Sequence, residues 1–313
     1  MGKPLVISVI APIYGVEKYI GKFADSLLGQ SYPDIQFIFV NDGTKDNSIT
    51  VLKNLIAEKY SSLSGSVTIV EKQNGGLPSA RMAGMQYVEG DYVYHADSDD
   101  WLAPDCISKI AEAAERTGAD IIYFDFIKAY ADESKVKREQ DYNAADKSEY
   151  VRRMFNHRAY GCVWNKCVKR SLYDMHQTYF PQYSYGEDIY LMSQLVIRAE
   201  SLYHIPEPLY YYRKDNPGAI TRQKIRKRHN EFALNFMDLY EKYDGLPDDM
   251  NPLNAIGSDI LMHSGWYSLM HGLNLFSRYP YLTQAIRKAP LTARCRIPLL
   301  MQLIVKIYSL FRK

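Results

Sequence analysis

Asp91-Tyr92-Val93-Tyr94-His95-Ala96, followed at once by Asp97-Ser98-Asp99-Asp100, is the stretch on which the reading of this 313-residue chain turns. The first six residues form an apolar run of the kind that fills a strand buried on both faces. The next four hold three carboxylates where that strand leaves its sheet. Such a cluster repels itself unless a cation or a hydrogen-bond network holds it. Carboxylate oxygens are the ligands that hard divalent ions prefer, and Mg²⁺-type ions take one or two of them and add substrate phosphates. One reading is therefore a metal–diphosphate site at a strand's carboxyl end. The other is an acidic turn whose Asp residues cap a helix starting near Pro104.

Outward from this stretch, short β-rich apolar runs alternate with helical patterns. Strands are expected at residues 6–11, 35–40, 67–70, 92–96 and 120–126. Helices are expected at 17–28, 47–60, 78–88 and 104–117. In the first helix Ile20, Phe23, Leu27 and Leu28 fall on one face at 3.6 periodicity. The pattern predicts an α/β fold, a mostly parallel sheet flanked by helices with right-handed crossovers. Ligands bind beyond the carboxyl ends of the strands in such sheets. The loops there are Pro12-Ile13-Tyr14-Gly15, Asn41-Asp42-Gly43-Thr44, Glu71 to Gly76 and Asp97 to Asp100, each rich in polar, Gly or Pro residues. The opposite loops, Ser31-Tyr32-Pro33 and Glu89-Gly90, read as plain turns. Residues 128–147 read as an exposed polar excursion, 149–156 as a helix, 161–168 as an apolar segment and 187–200 as a helix. Two short strands are expected at 201–205 and 209–213. Beyond residue 224 the pattern is helical, and a boundary is placed near 222, giving domains 1–222 and 223–313.

Hydrophobic content of 47% and charged content of 24% describe a globular chain, and a net charge of +2 argues against nucleic acid as the main partner. No acid follows Asp259, whereas eight Lys and Arg residues do. Cys106, Cys162, Cys167 and Cys295 show no zinc-type pairing, and reduced cytosolic thiols are the simplest reading. The apolar residues 5–11 lack a signal-peptide cleavage site.

Taken singly, the other polar positions have ordinary explanations. Asp42 can accept a bond from a base imide, or lie in a helix-entry turn capped by Thr44 or Asp46. Arg81 can hold an anion at a helix start, or be a surface residue. Glu187-Asp188 can supply a general base, or merely suit a helix N-terminus. His95 reads as a satisfied core or rim histidine, and Trp164 as packing in preference to a sugar platform.

Their joint order carries more. Strand, Pro, aromatic; Asp-Gly; Asn-Gly-Gly with Ser and Arg; Asp-Ser-Asp-Asp-Trp; Trp-Asn-Lys; Glu-Asp: this resembles the family-2 glycosyltransferases with the A-type nucleotide-sugar fold, over about residues 5–222. The resemblance implies inverting transfer of a sugar from a nucleotide diphosphate, usually UDP, with Mn²⁺ or Mg²⁺ as cofactor. By motif, Pro12, Tyr14 and Glu17 would line the nucleotide pocket and Asp42 would contact the base. Arg81 would support the nucleotide or diphosphate. Asp97 would hold the ribose or assist the metal, with Ser98 beside it, and Asp99 would bind the metal. Asp188 would be the catalytic base, with Asp100, Trp164 and Glu187 in the acceptor or sugar pocket. Gly15, Asn41 and His95-Ala96 depart from the common pattern, which bears on nucleotide selectivity. The Gln-x-x-Arg-Trp motif and membrane spans of processive synthases are absent, which favours single addition to a glycan or lipid-linked acceptor.

Residues 297–311 are apolar apart from Gln302, Lys306 and Ser309 and are flanked by Arg294, Arg296, Arg312 and Lys313. Fifteen residues fall short of the ~20 that span a bilayer. The segment reads as an in-plane helix on the inner face of the cell membrane, or as a helix docked on the domain or on a second subunit of a homo-oligomer. Two rival functions stand beside transfer. A nucleotidyltransferase would carry a basic Gly-rich loop after the first strand, where this chain has Pro12 to Gly15. A catalytically silent nucleotide-sugar-binding protein is disfavoured by intact Asp99 and Asp188.

Overall fold

The computed structural model describes residues 4–243, except residues 143, 144, 146, 156, 157 and 175–177. The first four apolar runs become parallel strands: β1 (Ile7–Ile13), β2 (Ile35–Asn41), β3 (Val67–Glu71) and β4 (Tyr92–His95). Every residue of β1 is buried, as the unbroken apolar run requires of a strand covered on both faces. Helices α1 (Glu17–Leu28), α2 (Ser48–Lys59) and α3 (Leu77–Met85) connect them. The chain winds from β1 out to β3 and then returns to the other side of β1 with β4. The strand order thus reverses between β1 and β4, which opens a crevice at their carboxyl ends. The acidic turn lies at that crevice, and Ser98 ties its two walls by donating to the Pro12 carbonyl at 2.6 Å.

Past the turn come β5 (Trp101–Leu102), α4 (Cys106–Thr117), β6 (Ile121–Ala129), β7 (Ser134–Lys137), α5 (Lys147–Phe155), β8 (Lys166–Lys169), α6 (Arg170–Asp174), α7 (Glu187–Arg198), β9 (Leu202–Arg213) and α8 (Ile225–Tyr243). The sheet runs β3-β2-β1-β4-β8-β6-β9-β5, with β7 also on β6. The expected parallel pairing holds over β3-β2-β1-β4, and beyond β4 the sheet is mixed. There β8 pairs antiparallel with both β4 and β6, and β9 pairs parallel with β6 and antiparallel with β5. Parallel neighbours need a crossover of a dozen or more residues, whereas β6 and β7 are joined by a tight turn closed by Tyr130 N–H to the Glu133 carbonyl, and pair antiparallel.

Two segments differ from expectation. The short strands at 201–205 and 209–213 are one strand, β9. Pro206, Glu207 and Leu209 have no opposite residue on β6 while Pro208 faces Asp125, so the gap expected at 206–208 is a bulge within one continuous strand. The polar stretch 128–147 is not simply an exposed excursion, since it contributes β7 and buries Glu139 and Tyr142.

One face of the sheet is covered by α1, α2 and α4, the other by α3, α5, α6, α7 and α8. The periodic residues of α1, Ile20, Phe23, Leu27 and Leu28, all lie in the first layer, each worth about 1.5–3 kcal/mol when fully buried. Helix α8, just past residue 222, sets Phe232, Phe236 and Leu239 against α5 and α7. Its Asn235 and Glu231 accept the backbone N–H groups of Tyr183 and Tyr185. Among the described residues no helix is long and apolar enough to cross a membrane. The segment read as an in-plane helix, 297–311, lies outside the described residues.

Helix α3 lies hard against the sheet. A Cβ on Gly84 would come within 2.5 Å of Ile10 Cγ2 and 3.2 Å of Val40 Cγ2. Gly84→Ala is therefore expected to lower stability by about 1–3 kcal/mol through overpacking, against the usual helix-propensity gain. A urea melt in which the variant matched or exceeded the parent would refute this close approach.

Candidate active site

The loops after β1 and β2 brace one another. Glu17 N–H donates to Asp46, and Glu17 in turn accepts from both the backbone and side-chain nitrogens of Asn47, so each helix start caps the other. Tyr14 is exposed beside this brace. Asp42 is buried, and its two oxygens accept from Lys72 and from the backbone N–H groups of Gly75 and Gly76 at 2.9 Å each. It therefore shapes the Gly-Gly loop, whatever else it meets. Gly76 adopts φ +85° and ψ 169°, a conformation essentially confined to glycine.

At the floor of the crevice lies Arg81, fully buried on α3. Its Nη2 stands 3.0 Å from Asp97, 3.0 Å from Glu187 and 3.6 Å from Asp188. Burial alone would push the guanidinium down, but Glu187, Asp97 and Asp188 outweigh it and hold it above its ordinary value. The expectation of a surface Arg81 is thereby corrected: the side chain is fully buried, and its Nη2 meets three carboxylates while Nε and Nη1 have no hydrogen-bond partner among the described residues. Glu187 is likewise not an open acceptor-pocket residue: it is buried, bonded to Arg81, and pushed well above the usual carboxylate range by that burial.

The acidic turn divides its labour. Burial, opposed by Arg81 and reinforced by Asp188 and Asp99, pushes the partly exposed Asp97 up to about 7. Asp99, also partly exposed, accepts from Asn216 Nδ2 at 2.7 Å, and its carbonyl accepts from Arg213 Nε. Asp100 faces inward, against the expectation that it joins the sugar pocket. It is 1% exposed, with one oxygen on Arg213 N–H at 2.7 Å and the other on the Tyr210 hydroxyl at 2.9 Å. It thus pins the turn to β9. The Tyr210 hydroxyl also accepts from Asp97 N–H.

His95 is buried as expected but not satisfied: among the described residues neither ring nitrogen has a partner. Burial and then Arg81 hold it well below its ordinary pKa, so it sits neutral beneath the turn. Trp164 is a packing residue, stacked on Tyr210 at 4.7 Å and edge-on to Phe126. Behind it Lys166, fully buried, donates to the Tyr160 and Cys162 carbonyls and to Asn165, while Asn165 holds Glu139. The three cysteines among the described residues are free thiols.

Asp188, unlike its neighbour Glu187, is partly open. It lies on the wall of a cleft of about 520 Å³ that also includes Tyr160, Trp164, Tyr185 and Tyr212. Its Oδ1 has no hydrogen-bond partner among the described residues. The arrangement joins the acidic turn and a partly open carboxylate at the start of α7 through one buried guanidinium. Arg213, Asn216 and Tyr210, which fix the turn from 110 or more residues away, escaped the sequence reading. A hint lay in the end of β9, where Tyr210 to Arg213 lead through Lys214 to Asp215-Asn216 in one polar-aromatic run.

Similarity to known proteins agrees with this picture. EpsH of Bacillus subtilis (strain 168), described as a putative glycosyltransferase, is 26% identical over 272 residues, covering 83% of this chain and 77% of that protein. EpsJ of the same organism, described as an uncharacterized glycosyltransferase, is 30% identical over 222 residues, covering 69% and 63%. Among solved structures, S. aureus TarS in complex with UDP-GlcNAc shares the fold with a TM-score of 0.66 and 17% identity over 90% of this chain and 79% of that one. The mannosyltransferase PcManGT from Pyrobaculum calidifontis, in complex with GDP-Man and Mn²⁺, gives 0.59 and 15% over 99% and 81%. The model of the family Glycosyl transferase family 2 matches residues 8–175, just over half the chain, from β1 through the acidic turn to α6. With the crevice at the β1/β4 reversal and the acidic turn inside it, the chain belongs to glycosyl transferase family 2 and is a sugar-transferring enzyme.

Proposed function

We propose that this enzyme transfers a single sugar, with inversion, from a nucleotide-diphospho-sugar, UDP-linked by preference, to a hydroxyl of a glycan or lipid-linked acceptor in surface polysaccharide assembly. The observation that carries the reading is the Arg81 cluster. One buried guanidinium nitrogen contacts both Asp97, on the turn after β4, and Asp188, at the start of α7, and so holds the two carboxylates close together. The complexes of TarS with UDP-GlcNAc and PcManGT with GDP-Man support a nucleotide-sugar donor for this fold.

A divalent cation fits the donor set. No group of three or more His, Cys, Asp or Glu among the described residues is arranged to hold a metal ion. Asp97 and Asp99 each keep one oxygen outside the bonds to Arg81 and Asn216. Two hard oxygen ligands, with diphosphate and water completing the shell, are what Mg²⁺ or Mn²⁺ takes in such sites. Asp97 and Asp99 would hold the ion, whose chemistry there is to neutralise charge on the departing diphosphate.

The chain's own residues then act as follows. The Gly75-Gly76 loop, fixed by Asp42, bounds the nucleotide side together with Pro12, Tyr14 and Ser98. Asp188, open to the cleft, takes the proton of the attacking hydroxyl at its carboxylate. Arg81, wedged between Asp97 and Asp188, fixes their separation, so that attack comes from the side opposite the diphosphate and inverts the anomeric centre. The test is stereochemical. The full chain is incubated with Mn²⁺ and α-linked UDP-glucose, UDP-galactose and UDP-GlcNAc, and early products are read by proton NMR. A β-configured sugar is expected from at least one donor; an α product overturns the mechanism, and no release from any donor overturns the UDP assignment.

A further inference from the structure

The cleft that begins at Asp188 is lined by more cationic than anionic side chains. Lys128 at the end of β6, Arg138 just past β7 and Arg158 beyond α5 all line it. Its acids are Asp188 and Glu139, and the latter is buried, bonded to Asn165 at 2.7 Å and 3.9 Å from Lys166. Among the described residues none of the three cations forms a salt bridge. Elsewhere some cations find acids, as Lys59 does with Asp25, Lys109 with Glu207 and Arg153 with Glu149, while others such as Lys18 and Lys45 stand in open solvent with no salt bridge among the described residues; Lys128, Arg138 and Arg158 instead share one cleft.

The surroundings sharpen the imbalance. Lys128 is held below its ordinary pKa first by partial burial and then by Lys137 and Lys214, two more cations. Lys214 is itself held down by burial and Arg222, with Asp100 opposing. These charges stand against a wall of Tyr160, Trp164 and Tyr212. A one-sign rim over low-dielectric walls concentrates potential inside a cleft. The whole chain carries only +2, so this is a local arrangement and not a general basicity.

We infer that the cleft receives an acceptor bearing phosphate, a sugar phosphate or polyol phosphate, whose anionic group meets Lys128, Arg138 and Arg158 while its hydroxyl reaches Asp188. The inference rests on Asp188 being the base of the proposed transfer. Phosphate is chosen over carboxylate because a phosphomonoester brings about −1.5 to −2 charge and three strong acceptor oxygens, matching several cations at once. Of the aromatic wall, the half-buried Tyr160 and Tyr212 offer ring surface to the saccharide, with Trp164 packed behind them.

The experiment is calorimetric titration of the full chain, saturated with UDP and Mn²⁺, using glucose 6-phosphate, glucuronate and glucose as probes. Glucose 6-phosphate is expected to bind about tenfold or more tightly than either of the others. Lys128→Gln combined with Arg158→Gln is expected to remove most of that preference, Lys128→Arg to keep it, and the remote Lys59→Gln to leave it as it was. Thermal melts identify any variant that fails to fold, in which case the single Arg138→Gln, at an exposed position, takes its place. Equal binding of the three probes, glucuronate matching glucose 6-phosphate, or a preference that survives the double substitution would each overturn the inference. So would binding of phosphatidylglycerol vesicles that depends on these cations when glucose 6-phosphate does not bind, since the charge would then face a lipid surface. Failure of UDP to bind in the first step strikes at the donor reading instead, and the two failures are thus told apart.

Discussion

Asp188→Asn is expected to lower the rate of sugar transfer by about 10²–10⁴-fold, the contribution typical of a positioned general base, with nucleotide binding retained. The substitution is nearly isosteric, and Arg81 keeps its two 3.0 Å partners, Asp97 and Glu187, when the 3.6 Å contact to position 188 loses its charge. The fold and the donor side therefore stay in place, and what disappears is the proton acceptor in the cleft. Initial rates at saturating donor and acceptor, alongside UDP titration of the same preparation, separate the two. A variant that transfers sugar at the parent rate removes Asp188 from the chemistry. A variant that also loses UDP binding shows that position 188 supports the donor side.

Arg81→Met is expected to cost about 3–5 kcal/mol of folding stability at neutral pH, the usual penalty for removing one partner of a buried ion cluster. Methionine fills much of the volume, so the loss is mainly electrostatic: Glu187, 2% exposed, is left beside Asp97 and Asp188 without the cation that offsets them. Adding Glu187→Gln to Arg81→Met is expected to restore part of the loss, because the most deeply buried uncompensated charge is then gone. Glu187→Gln alone leaves Arg81 two partners and has the smaller effect. Urea denaturation of the four proteins gives the coupling directly. A loss below about 1 kcal/mol in Arg81→Met would mean that the cluster is worth no more than an exposed pair.

The fold was readable wherever burial imposed a period. Helix α1 was delimited to the residue, and β2 and β3 each to within one residue, because apolar side chains recur at strand or helix spacing against a two-sided core. Reading failed where a local signal met a distant partner. Pro206 and Pro208 mark a break in any isolated peptide, yet β6 carries the strand through them. Arg81 on a nine-residue helix looks like a surface cation until Glu187, 106 residues on, is brought against it. The acidic turn was recognised as a site, but its four residues do not disclose that Asp100 turns inward to Tyr210 and Arg213 while Asp97 and Asp99 stay partly open. Glu187-Asp188 shows the same limit: two adjacent acids at one helix start, one sealed beneath the crevice and the other on the wall of a cleft.

The bulge in β9 imposes a rule of parity. Three unmatched residues shift the pleat by an odd count, so the side chains beyond it alternate out of step with those before it. Tyr210 stacks on Trp164 and Tyr212 lies tilted against it, while Tyr211 stacks on Trp101. Deleting or inserting a single residue between Ile205 and Tyr210 would exchange those sides and strip the acidic turn and the aromatic wall of their supports together. Single-residue length changes in this segment are thus expected to be disfavoured, a constraint that relatives of this enzyme can be inspected for.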